Sequence, residues 1–193
     1  MNPELTIIGI TGTLGSGKGT VVEYLVMEKG FAHFSVRQFL LEEIRKRGLP
    51  ENRDSMRIVA NELRKKNSPS YITDQLYQQA LKEGRNAVIE SIRTPGEIES
   101  LRSNGNFYLV AIDADPADRF ERIRKRNSET DHVDYKTFLE NEEQEMTSTD
   151  PNRQNLQRCR EMADFIILNN GTVEELHNRV DKLFSEITKQ NNI

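Results

Sequence analysis

Apolar residues along this chain fall into two rhythms that take turns. Leu5-Thr6-Ile7-Ile8-Gly9-Ile10 is the short, β-branched run that a strand buried on both faces requires. From Val21 to Lys29 the apolar positions move to helical spacing, and Gly30 provides a stop. Phe31-Ala32-His33-Phe34-Ser35-Val36 then predicts a second strand, followed by a helix from Phe39 to Arg47 closed by Gly48. Charged amphipathic patterns predict further helices over about 53–66 and from Tyr71 to Glu83, where Ile72, Leu76, Tyr77, Ala80 and Leu81 recur three and four apart. Asn86 to Arg93 is a third strand, Phe107 to Ile112 a fourth and the most apolar, and Phe165 to Leu168 a fifth. Thr94 with Pro95 makes an N-cap and first helical position, and Asp115 with Pro116 repeats the device. Helices are also expected from Asp134 to Met146 and from Val173 to Ile187.

Five short apolar strands separated by helical crossovers predict an α/β fold, a five-stranded parallel sheet with helices on both faces. In such sheets ligands lie beyond the carboxyl ends of the strands. That rule singles out Gly12 to Thr20, Ser35 to Gln38, Glu90 to Arg93, Asp113 to Asp115 and Asn169 to Thr172.

The 193 residues are one domain's worth of chain. A net charge of −4 argues against general affinity for nucleic acid or anionic membrane. Cys159 is the only cysteine, which leaves no internal disulfide and no cysteine-based zinc cluster. With no apolar run near ~20 residues and no basic-then-apolar leader, the expectation is a cytoplasmic protein.

The densest chemistry lies in Gly12-Thr13-Leu14-Gly15-Ser16-Gly17-Lys18-Gly19-Thr20. Strand, glycine-rich loop and helix, in that order, are the setting a phosphate-binding P-loop needs. Glycines let backbone N–H groups turn inward around an anion, the helix start adds its dipole, and Lys18 reaches the outer phosphates. The residue after the lysine is Gly19, and the hydroxyl comes one later at Thr20, unlike the usual GTPase or motor-ATPase order. Arg119, Arg122 and Arg126 form an arginine-rich cluster after the fourth strand, with Arg122 and Arg126 four apart on one face. Such a cluster suits phosphate binding, and equally a solvated helix face. Glu90, closing the third strand, and nearby Arg93 suit either a site or a structural pair. Asp115 reads as a helix cap. His33, His132 and His177 show no ligand spacing.

The GKGT at Gly17 to Thr20 after G-x-x-G-x resembles nucleoside monophosphate kinases, adenylate kinase above all, and the likeness runs through nearly the whole chain. Ile92-Arg93-Thr94-Pro95-Gly96-Glu97-Ile98 and Val110 to Pro116 resemble archaeal adenylate-kinase-related proteins; the tail from Gln154 to Leu176 is similar to kinase-like domains that precede deoxycytidylate deaminases. The chain has no H-x-E and no C-x-x-C, so no deaminase is expected within it.

The resemblance implies a single P-loop kinase domain over 1–193, with an acceptor-binding helical region about 36–83 and a short lid about 119–135. It implies ATP as phosphoryl donor and Mg2+ held largely through water. Gly12, Leu14, Gly15, Ser16, Gly17, Lys18, Gly19 and Thr20 would hold phosphates, with Arg122 stacking on adenine and Arg126 approaching phosphates. Asn170, Gly171 and Thr172 would lie beside adenine, while Ser35, Arg37 and Arg93 would hold a small-molecule nucleotide acceptor. Glu90 and Asp113 would orient magnesium-bound water, or Glu90 would act as base. One departure is Leu41, standing where the family has an acceptor-binding arginine. Residues 9–18 also resemble dephospho-coenzyme A kinase, which uses a hydroxyl acceptor. A nucleotide-binding sensor that no longer transfers phosphate is a further alternative.

Overall fold

The computed structural model describes residues 5–126 and 133–191. Strands β1 (Ile7–Thr11), β2 (Ala32–Ser35), β3 (Ala87–Glu90), β4 (Phe107–Asp113) and β5 (Phe165–Leu168) form one sheet in the order β2-β3-β1-β4-β5. Every pairing is parallel, with Ile8 beside both Val88 and Tyr108 at the centre. The connecting helices are α1 (Lys18–Lys29), α2 (Val36–Lys46), α3 (Arg53–Lys66), α4 (Tyr71–Glu83), α5 (Pro95–Asn104), α6 (Pro116–Arg126), α7 (Tyr135–Met146), α8 (Leu156–Glu161) and α9 (Val173–Asn191).

Strand alternation divides the core in two. Ile7, Ile89 and Leu109 face one side with residues of α2, α3, α4 and α5. Ile8, Ile10, Val110 and Ile112 face the other, against Val21, Val22 and Leu25 of α1 and Leu176, Val180 and Leu183 of α9. This is the α/β fold expected, with helices on both faces. β1 sits where the chain order reverses, β3 on one side and β4 on the other, so the loop after β1 opens at the switch point where such sheets bind ligands.

Local chemistry moved several boundaries. α2 starts at Val36 instead of Phe39, because the Ser35 hydroxyl accepts the Gln38 N–H and caps the helix early. β3 stops at Glu90 since Ser91 takes a left-handed backbone, φ 69°. Helix α8 was not anticipated. Its six residues carry only Leu156 and Cys159 as buried apolar positions, too few to make a period, and Asn155 caps it.

Gly9 is required by close packing: a Cβ there would lie 2.5 Å from Ile92 Cδ1 and 2.6 Å from Phe107 Cζ. Gly9→Ala is expected to cost about 1–3 kcal/mol in urea unfolding, and an unchanged midpoint would contradict this packing.

Candidate phosphate-binding cleft

At the end of β1, Thr11 Oγ1 donates to Ile92 O at 2.8 Å, tying the strand to the β3–α5 turn. The chain then turns through Gly12 (φ 142°), Gly15 (φ 78°) and Gly17 (φ 101°), conformations that side chains resist. A Cβ at Gly12 would lie 2.2 Å from Ile112 O, at Gly15 2.5 Å from Arg119 O, and at Gly17 2.2 Å from Asn169 Nδ2. The loop is therefore walled by β4, α6 and the turn after β5. Gly19 differs: a Cβ there would meet nothing within 4 Å, because it faces the open cleft.

Lys18 folds back on its own loop, its Nζ donating to Gly12 O (2.9 Å) and Thr13 O (2.7 Å). Protein packed around the ammonium lowers its pKa to about 7. Arg93 pushes in the same direction, and the carboxylates of Glu90 and Glu145 resist.

A cleft of ≈ 1360 Å³ opens over this loop. Its walls include Leu14, Gly15, Gly17, Lys18, Gly19, Thr20, Arg37, Glu90, Arg93, Arg122, Arg126 and Gly171, so most of the residues singled out from sequence come together. Arg122 reaches across from α6, donating to Asn169 O (2.7 Å) and Gly15 O (3.5 Å). On the opposite wall Arg93 Nη1 donates to Glu145 Oε2 (2.6 Å) and Gln154 Oε1 (2.8 Å). Glu90 accepts from Ser35 Oγ at 2.8 Å and lies 3.7 Å from His33 Nε2. Burial would raise the Glu90 pKa, but nearby His33, the hydrogen bond from Ser35 and the charge of Lys18 outweigh it and hold it below the usual carboxylate value. Glu145 behaves alike, burial being overcome by Arg93 and Arg53.

Other residues singled out from sequence do not line the cleft, and Arg119 is buried. Asp113 does not line the cleft: its Oδ2 pairs with Arg160 at 3.0 Å and its Oδ1 accepts the Ala114 N–H. Gly12, Ser16 and Ser35 stand behind the wall, Ser16 being fully buried. In the turn after β5 the contact with the loop is made by Asn169, whose Nδ2 donates to Ser16 O at 2.9 Å. Asn170 instead accepts the Asp115 N–H, and Thr172 exchanges hydrogen bonds with Glu175 at the start of α9. Arg119 is no part of a solvated face: it is 2% exposed, pairs with Glu142 of α7, and donates to Ala114 O and Leu14 O. It braces the loop. His132 and residues 127–132 of the expected lid lie outside the described residues.

Sequence reasoning missed the carboxylates that organise these cations: Glu97, Glu142 and Glu145. Glu142 and Glu145 lie three apart on α7, one turn of helix, which was the available signal. His33 was passed over too, although strand alternation puts it on the same face as Ser35, whose register partner is Glu90. Among the described residues no group of three or more His, Cys, Asp or Glu is arranged to hold a metal, and no helix is long and apolar enough to cross a membrane.

Comparison with known proteins places this geometry. Residues 8–148 match the AAA domain family. The chain belongs to that family. It is 29% identical over 187 residues to a UPF0200 protein of Pyrococcus horikoshii, covering 94% of this chain and 97% of the relative. A UPF0200 protein of Methanocaldococcus jannaschii is 27% identical, with 95% and 91% covered. These archaeal relatives carry a name that states no activity. Shikimate kinase from Acinetobacter baumannii has the same fold, with a TM-score of 0.60 at 18% identity over 95% of each chain. So does gluconokinase from Sinorhizobium meliloti, TM-score 0.58 at 14% identity, covering 98% of this chain and 99% of that one. The P-loop fold of this AAA-family chain is thus kinase-like.

The depressed Lys18 pKa has a measurable consequence. An anion beside Nζ would restore the charged form, so at about pH 8, above the free pKa, binding of a triphosphate is expected to take up close to one proton per site. At about pH 6 Lys18 is already charged and uptake vanishes. Calorimetry in two buffers of different ionisation enthalpy reads this directly; equal enthalpies at pH ~8 would contradict it.

Proposed function

We propose that this chain is an ATP- and Mg2+-dependent phosphotransferase that moves the γ-phosphoryl of ATP in line onto a small anionic acceptor, most simply a nucleoside monophosphate or deoxynucleotide. The observation that carries this reading is one cleft with two cationic walls. Leu14, Gly15, Gly17, Gly19, Thr20, Arg122 and Arg126 line the P-loop side, and Arg37 and Arg93 the side of β2 and β3, with Lys18 and Glu90 on the same cleft. Phosphoryl transfer asks for little covalent chemistry from a protein, and much positive charge fixed around the moving group.

In this reading the backbone N–H groups of the loop hold the β- and γ-phosphates. Lys18 exchanges the carbonyls of Gly12 and Thr13 for phosphate oxygens, a stronger partner for an ammonium. Arg122 gives up Asn169 O in the same way and covers the nucleotide. Arg93 exchanges Glu145 for the acceptor's anion. The donor set suits Mg2+ poorly as a protein-only site and better as a phosphate-bound one, which Glu90 on the cleft wall would hold through water and Thr20 would flank with its hydroxyl. When bound, the metal would neutralise charge on the transferring group.

A hydroxyl acceptor, as in kinases of the dephospho-coenzyme A type, is the second reading, and Glu90 favours it. A hydroxyl must lose its proton on attack, whereas a phosphate oxygen has none to lose. A sensor that binds nucleotide without transfer is set apart by turnover alone. The test is a turnover screen of ATP against nucleoside monophosphates, deoxynucleotides, nucleosides and dephospho-coenzyme A. Lys18→Ala is expected to lower kcat at least about 10²-fold without unfolding the protein. Arg93→Ala is expected to raise the acceptor's KM far more than that of ATP. An unchanged rate in the first variant, or the reverse pattern in the second, would contradict these roles.

A further inference from the structure

Helix α3 carries an arginine that the reading above leaves unused. Arg53, Arg57, Ala60 and Arg64 recur at intervals of four, three and four, which sets them on one helix face, and all four line the cleft. Arg64 is the deep member, its side chain 1% exposed. One edge of its guanidinium is given to Glu97 Oε1, from Nε at 3.3 Å and Nη2 at 2.8 Å. Glu97 is itself fully buried. The remaining nitrogen, Nη1, is buried with no hydrogen-bond partner. A charged donor held away from water with nothing to donate to is expensive, and proteins rarely leave one so.

The same carboxylate fixes where Arg64 sits. Glu97 Oε2 accepts the backbone N–H of Arg93 (2.7 Å) and of Thr94 (3.0 Å). One buried carboxylate thus brackets the Arg64 guanidinium against the turn that carries Arg93. Arg93 already has Glu145 and Gln154 for partners; Arg64 Nη1 has none.

We propose that Arg64 Nη1 is an acceptor-binding donor, which together with Arg93 holds one oxyanion, phosphate or carboxylate, of the acceptor molecule. This rests on the reading that the Arg93 end of the cleft belongs to the acceptor. Glu97 is then a positioning residue: it holds Arg64 in a fixed, water-free orientation, and its own charge offsets that of Arg64 until the anion arrives. Val36, Leu40 and Met56 on the neighbouring wall give the acceptor an apolar surface beside its charged end.

The test reads Arg64 itself. Protein labelled with nitrogen-15 is saturated with a non-hydrolysable ATP analogue and Mg2+, then titrated with inorganic phosphate and, separately, with acetate. The Arg64 Nε–H resonance is followed, assigned by its loss in Arg64→Lys. The expected result is a saturable shift of that resonance. Whichever anion produces it names the acceptor's group. Arg64→Lys is expected to weaken phosphate at least about tenfold while changing the ATP analogue by less than about threefold. A resonance that neither anion moves, or equal phosphate affinity in Arg64→Lys, overturns the proposal and leaves Arg64 a structural ion pair. Should Arg64→Lys not fold, the resonance is assigned instead by side-chain-to-backbone correlation in the wild type, and the wild-type titration decides alone. Failure of the ATP analogue to bind removes the kinase reading separately, since the phosphate titration is still read at Arg64.

Discussion

Positive charge gathered into one cleft is the constraint from which the rest of this structure follows. Lys18, Arg93 and Arg122 line it together with Arg37, Arg53, Arg64 and Arg126. Left alone, so many cations in a partly desolvated space would repel one another and lower stability. The chain answers with acceptors drawn from elsewhere in the fold. Lys18 leans on Gly12 O and Thr13 O, Arg122 on Asn169 O, Arg93 on Glu145, and Arg64 on Glu97. In the proposed reading a phosphate chain or acceptor anion takes the place of the partners of Lys18, Arg122 and Arg93, while the buried Arg64–Glu97 pair stays fixed.

The sheet makes that convergence achievable. With all strands parallel, every strand-to-helix loop leaves at the same edge, and the reversal of order at β1 parts the loops beside the glycine turn. Arg119 shows how firmly the turn is held. Its buried guanidinium links Leu14 O, Ala114 O and Glu142, so the loop, the start of α6 and α7 form one connected unit. Glu97 performs the corresponding service on the far side for α3 and the β3–α5 turn. Removing one member of the Arg64–Glu97 pair would strand a buried charge, a cost of about 3–5 kcal/mol. Each bracket holds its own side of the cleft in place.

How far this was legible in the sequence depended on the range of the interaction. The glycine loop was readable because strand, turn and helix are contiguous and each has its own local signal. Glu90 and Arg93 were readable because strand ends in a parallel sheet have a fixed address. Glu145 and Glu142 were not, since α7 meets the loop only through long-range packing; the turn holding Asn169 had its address, but not which of its residues would touch the loop. The buried role of Arg119 was not read, because an arginine-rich helix looks solvated as a whole. Its spacing of four from the buried Ile123 marked the inward face of α6. Arg64 was hidden in the same way, among the basic residues that end α3. Charge that is buried and paired has no sequence signature of its own, because the partner lies dozens of residues away.

The central claim is that this cleft exists to take a chain of phosphates. Thermal unfolding with added ligand tests it most directly. Inorganic triphosphate with Mg2+ should raise Tm nearly as much as Mg-ATP, by roughly 5–10 °C at ~100 times Kd, while adenosine should leave it unchanged. A Tm indifferent to both triphosphates would contradict the account.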